Sequence, residues 1–185
     1  MAEYYFMSQL PSLDGISDQL PLPITEERFL ELCHQFLGKK LQKEIDGLTL
    51  VPSKFPEKSS STLVEAWNDG ERNLRLALAK VRADKMKKSF EATPGFASPE
   101  LMKAARMAVE MESPMEAEVF LNHFRMGFLE SLRPMDTFSE DSVFYYGLKL
   151  KLMLRMRQFD ETLGKAAYKD IYNSIMNGDR LEAAQ

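Results

Sequence analysis

The sequence predicts an all-α protein: an elongated helical bundle of about six helices behind an extended N-terminal segment. Three observations lead there. After residue 24 apolar side chains recur at helical spacing, helix-opening signals such as Ser-Pro and Thr-x-x-Glu punctuate the chain, and no strand-rich stretch occurs beyond short pieces at 4–7 and 48–51. The 185 residues suit one domain, 1–185, with an exposed loop at 52–61 and a loose tail at 179–185.

The elements follow in order. The opening YYFMSQLPSL places Tyr4, Tyr5, Phe6, Met7 and Leu10 at an end that would fray unless something held it, and Pro11, Pro21 and Pro23 keep the segment out of helix. Laid across the bundle, the aromatic strip is fixed by burial; offered outward, it suits a partner. Thr25 is the N-cap of the first helix, where Phe29, Leu32, Cys33, Phe36 and Leu37 share one face and Gly38 ends the run. Leu41, Ile45 and Leu48 predict a short helical piece before the exposed VPSKFPEKSSS.

The longest helix spans 62 to about 88, with Thr62 and Glu65 as its capping box. Leu63, Trp67, Gly70, Leu74, Ala77 and Val81 form a narrow seam at spacings of 4 and 3. At 1.5 Å per residue this helix is about 40 Å long, so part of it is expected to project. Gly70 inside it marks a close helix contact. Ser98 with Pro99 opens the next helix, Ser113 with Pro114 and Glu116 another, which Pro134 ends. Thr137 and Glu140 then introduce 140–158, apolar almost all round and therefore expected to be central. Asp160 caps a last helix ending near Asn177 and Gly178.

Composition narrows the function classes. Net charge is −4, with 24 basic and 28 acidic residues and no acidic tail, which disfavours nucleic acid. No apolar run reaches the roughly 20 residues of a membrane span and no secretory leader is legible, so the expectation is a cytoplasmic protein without direct membrane insertion. The single cysteine, Cys33, reads as a small buried apolar residue. His34 and His123 lack metal-pattern neighbours, and no HExxH, CxxC, GxSxG or Gly-rich phosphate loop occurs. We therefore expect no enzyme activity, no cofactor and no metal. The twelve methionines serve core filling or an adaptable surface; Met107, Met111 and Met115, at i, i+4 and i+8, could make a patch across a helix junction.

The most specific text is ERNLRLALAKVRADKMKK, where Glu71, Arg75 and Arg82 border the apolar seam. With YYFMSQLPSL, PITEERFLELC and FYYGLKLKLMLRMRQFDETLGKAAYKDIYNSI, it resembles an uncharacterised bacterial family encoded with V-type ATPase genes, over segments 1–33, 62–88 and 144–175. Glu71, Asn73, Leu74 and Arg82 are also similar to a helical phrase of the V-type ATPase C subunit, called d in eukaryotes, an all-helical connector of the central stalk. The resemblance implies a subunit, accessory or assembly factor of a V-type ATPase or ATP synthase, lying at the membrane only through that complex. Its partners would be stalk or soluble-sector subunits, and the candidate contact residues are Arg75, Arg82, Tyr4, Tyr5, Met107 and Met111. The alternative is a free-standing helical interaction adaptor.

Overall fold

The computed structural model describes residues 2–16, 20–53, 58–90, 97–158 and 161–182. They form eight helices and no strand: α1 (Ala2–Gln9), α2 (Glu26–Phe36), α3 (Lys39–Asp46), α4 (Thr62–Lys85), α5 (Pro99–Glu110), α6 (Pro114–Ser131), α7 (Glu140–Arg157) and α8 (Glu161–Glu182). The all-α expectation therefore holds. Caps explain most boundaries. Thr25 Oγ1 accepts from the Arg28 amide, Ser98 Oγ from Leu101 and Ser113 Oγ from Glu116, each satisfying a helix-start N–H that has no partner within the helix.

Five boundaries differ from the sequence reading. The N-terminal segment is not extended: Ala2–Gln9 is helical, because Pro11 restricts Leu10 and so ends a helix there without preventing the turns before it, and packing against α2 supplies what local propensity lacks. The α4 cap is Ser61 rather than Thr62, and the α7 cap is Ser139 rather than Thr137, each hydroxyl reaching the amide three residues on. The fourth is the end of α4, at Lys85 instead of about Lys88. There Lys88 N–H bonds Ala83 O at 2.9 Å and Lys87 N–H bonds Asp84 O at 3.1 Å, with Lys87 at φ 55°. This is a Schellman finish with lysine where glycine is usual. The fifth is the end of α8, which runs past Gly178 to Glu182. The predicted Asp160 cap lies outside the described residues.

Two apolar clusters build the body. The larger joins Phe6, Leu13, Phe29, Cys33, Ile45 and Trp67 to the buried face of α7, and the smaller joins Leu74, Ala77 and Leu78 of α4 to Ala105, Ala108 and Leu121. Helices α4 and α6 run through both. Because α5 packs along the second half of α4, with residues buried as far as Ala83, α4 does not project as its length suggested. In the predicted exposed loop, Ser59 and Ser60 bond the Glu44 carboxylate and Ser61 is buried, so its end is anchored.

Two glycines set helix distances. A Cβ at Gly70 would lie 2.3 Å from the Phe128 ring, which is itself stacked near Trp67 at 6.1 Å. A Cβ at Gly147 would lie 2.9 Å from Leu48. Both let a neighbouring side chain press onto backbone, as expected for Gly70. The predicted central helix is the most buried: Ser142–Leu150, Leu152 and Met153 are all enclosed.

Glycine at position 87 would keep the left-handed conformation without the about 1 kcal/mol that it costs a residue bearing a side chain. Thermal melting of Lys87→Gly is therefore expected to rise slightly; an unchanged or lower midpoint would show the Schellman turn to be unstrained.

Candidate functional site

Between the two apolar clusters lies a layer of charge. Glu71, 3% exposed, receives Arg125 through Nε at 2.9 Å and through an Nη at 3.2 Å, and Arg75 Nε at 2.9 Å. Arg125 also donates to Asn122 Oδ1 at 3.0 Å and to Glu118, which Arg155 of α7 reaches from the other side. Buried carboxylate and guanidinium thus satisfy one another, the condition under which charge is tolerated away from water. The exposed i, i+4 pair suggested by sequence is half of a buried network. Beside it a cleft of about 310 Å³ is lined by Gly70, Leu74, Leu101, Phe124, Phe128 and the two charges.

A second cluster holds the N-terminal segment. Lys149, buried in α7, donates to Asp14 at 2.5 Å and Glu130 at 2.6 Å, and Arg133 donates to Asp14 at 2.9 Å. Tyr146 OH donates to the Pro11 carbonyl at 2.9 Å. Lys149 and Arg133 both stand 5.7 Å from the Tyr145 ring centre. Hydrogen bonds from Lys149 and Arg133 hold the Asp14 carboxyl below its usual range. Burial raises Glu130, but the Lys149 hydrogen bond and charge outweigh it and leave it lowered. Burial likewise lowers Lys149, and its two carboxylates overcome that and raise it. Burial, with Glu130 nearby, pushes Tyr145 up to about 12.

The candidate contact residues separate. Tyr4 and Tyr5 are exposed, at 60% and 56%, while Phe6 beside them is fully buried. Tyr4 lies against Phe138 at a ring distance of 4.3 Å, tilted by 36°, and Tyr5 meets Phe36 edge-on at 5.2 Å. Arg82 is exposed; Arg75 is tied to Glu71. Met107 on α5 and Met115 on α6 are exposed, and the half-buried Met111 is the C-cap between them, so the three straddle the α5–α6 junction. His34 pairs with Asp46 at 2.7 Å, a long-range partner that spacing could not reveal. Burial pushes the Cys33 thiol up to about 12, which suits a core residue.

Asn122, Arg125, Lys149 and Asp14 escaped the sequence reading. One signal existed: Asn122 and Arg125 interrupt the inner stripe of Leu121 and Leu129 on α6. Among the described residues no group of three or more His, Cys, Asp or Glu could hold a metal ion, and no helix is long and apolar enough to cross a membrane. No family model, curated protein or solved structure matches the chain.

Two measurements test these clusters. Glu71→Ala leaves Arg125 buried with less compensation and is expected to cost about 3 kcal/mol by denaturant unfolding, while Glu71→Ala with Arg125→Met recovers most of the loss. Equal losses in the single and double variants would show the pair to be energetically idle. For the N-terminal cluster the signs are opposite at the two ends of the pH scale. Lowered Asp14 and Glu130 contribute stability above their ordinary values of 3.8 and 4.5, lost as pH falls through the folded values. Raised Lys149 contributes below 10.5, lost as pH rises through its folded value. Melting of Lys149→Met should therefore fall with pH below about 4.5 less steeply than that of the parent chain. Parallel acid slopes would remove Lys149 from the cluster's energetics.

Proposed function

We propose that the chain is a non-enzymatic subunit or accessory factor of a V-type ATPase or ATP synthase, acting through protein–protein contact. The resemblance of segments 1–33, 62–88 and 144–175 supports the complex. The observation that carries the contact is a fixed aromatic surface: Tyr4 lies against Phe138, both exposed, and Met135, three residues before Phe138, is fully exposed. Aromatic and methionine side chains on a rigid base suit the core of an interface, since they bury large area at little entropic cost. The base is rigid because Phe6, two residues on, is sealed in the main cluster near Phe29 at a ring distance of 6.2 Å. Arg82 and Met107 provide a second exposed surface on the α4–α5 side. Arg75 is less suited, being committed to Glu71.

Affinity purification of the tagged chain from its native host should recover stalk or soluble-sector subunits. Tyr4→Ser with Phe138→Ser should reduce that recovery by tenfold or more with melting nearly unchanged, and Arg82→Gln should make it more salt-sensitive. Repeated isolation of the intact ATPase without this chain sinks the proposal. Recovery of an unrelated protein through the same aromatic surface replaces it with the adaptor reading.

A further inference from the structure

A groove of about 600 Å³ opens between α3, the segment that follows it and the first half of α4. Its floor is apolar: Leu48, Val64 and Phe144 are buried beneath it, and Val51, 45% exposed, stands at its edge. Its walls carry four cations, Lys40, Lys43, Lys58 and Arg72, against one carboxylate, Glu44. The imbalance is local, since the chain as a whole has a net charge of −4. Arg72 is engaged by Asp69 at 2.6 Å. Glu44 accepts hydrogen bonds from Ser59 and Ser60, and Lys40 feels its charge. Lys40, Lys43 and Lys58 are exposed and form no ion pair or hydrogen bond among the described residues.

Two further features argue for an anionic occupant. Lys39 and Lys40 lie in the first turn of α3, which holds no acid and whose N-cap Gly38 makes no side-chain cap. Cations there oppose the helix dipole, so folding alone does not favour them, and an anion beside Lys40 would relieve the opposition. The groove is also preformed. Ser60 Oγ donates to Glu44 at 2.6 Å and Arg72 to the Ser53 carbonyl at 3.4 Å, so both ends of the loop are tied to helices before anything binds.

We infer that this groove takes an acidic segment of a partner protein in extended form, with carboxylates on Lys40, Lys43 and Lys58 and apolar side chains on the floor. An extended chain sends alternate side chains to opposite sides, so a segment alternating acid with apolar residue meets both floor and walls. The eight residues of α3 span about 12 Å, which about four extended residues match. Other anions fit less well. A phosphate group is gripped best by a bidentate arginine, and the arginine that lines the groove is committed to Asp69. A nucleic-acid strand needs rings on which bases stack, and the ring that lines the groove, Phe144, is only 1% exposed. Three lysines on separate parts of the wall instead suit carboxylates spaced along a chain. The groove shares no residue with the Tyr4–Phe138 surface and does not rest on any role in an ATPase.

Fluorescence anisotropy of the full chain with a labelled peptide of about eight residues, glutamate alternating with leucine, tests this. Saturable binding at about 10–100 µM is expected, loosening severalfold between about 50 and 200 mM salt. Lys43→Gln with Lys58→Gln should weaken it by about tenfold or more with melting unchanged, because both side chains are exposed and unpaired. Val51→Asp, at the edge of the floor, should weaken it as well. The same loss of charge at Lys88 and Lys103, outside the groove, should leave it within about twofold. No saturable binding at about 1 mM, equal binding of a peptide with glutamine in place of glutamate, or equal losses from both lysine pairs would each overturn the proposal. So would a single-stranded oligonucleotide that binds more tightly than the peptide and is lost in the Lys43 and Lys58 variant, which would assign the groove to nucleic acid.

Discussion

The Glu71–Arg125 pair is the constraint on which the arrangement of helices depends. It sits where the two apolar clusters meet, with Trp67 on one side of Glu71 and Leu74 on the other. Sliding α4 against α6 by one residue would carry a carboxylate into hydrocarbon and strand a guanidinium, at a cost of several kcal/mol that no alternative contact offsets. Apolar contacts alone tolerate such slips, because one aliphatic side chain resembles the next. The neighbouring Gly70–Phe128 contact tightens the same register by steric means, since only glycine lets the ring approach so closely. One charged and one steric device, a residue apart, thus fix the two helices that run through both clusters.

Helix α7 solves a related problem by distributing its cations. An almost wholly apolar helix packs in the centre but needs directional contacts to orient its neighbours. Lys149 reaches Asp14 and Glu130, Lys151 reaches Glu26, Arg155 reaches Glu118, and Arg157 reaches the Leu20 carbonyl. Lys149 makes its pairs from a buried position, while Lys151, Arg155 and Arg157 are half-buried and meet their partners nearer the rim. Pairs at the rim add little to net stability, so their effect is orientation more than strength.

Much of this was legible from local rules. Thr25, Ser98 and Ser113 announced their helices because a cap is a three-residue event, and the all-round apolar character of α7 announced its burial. What failed was non-local or degenerate. Ser61 and Thr62 are adjacent residues of equal capping competence, and both hydroxyls also reach Asp141 of α7, at 2.5 Å and 3.3 Å, so which of them caps the Val64 amide is not set by local sequence. Glu71 looked like a surface charge because its partner stands 54 residues away. Tyr4 and Tyr5 were legible as an aromatic strip but not as exposed, since the helical phase that buries Phe6 turns both of them outward.

The central position of α7 also sets a timetable for biosynthesis. Phe6 and Phe29 are finally covered by a helix that begins at residue 140, so every partly made chain shorter than that displays them. At 5–20 residues per second the ribosome needs roughly 6–22 s to travel from residue 29 to 140. During that interval the nascent chain carries an open hydrophobic groove lined by α1, α2 and α3. The protein is thus one whose first helices wait for its seventh, and premature termination anywhere before α7 yields a sticky fragment instead of a smaller folded domain.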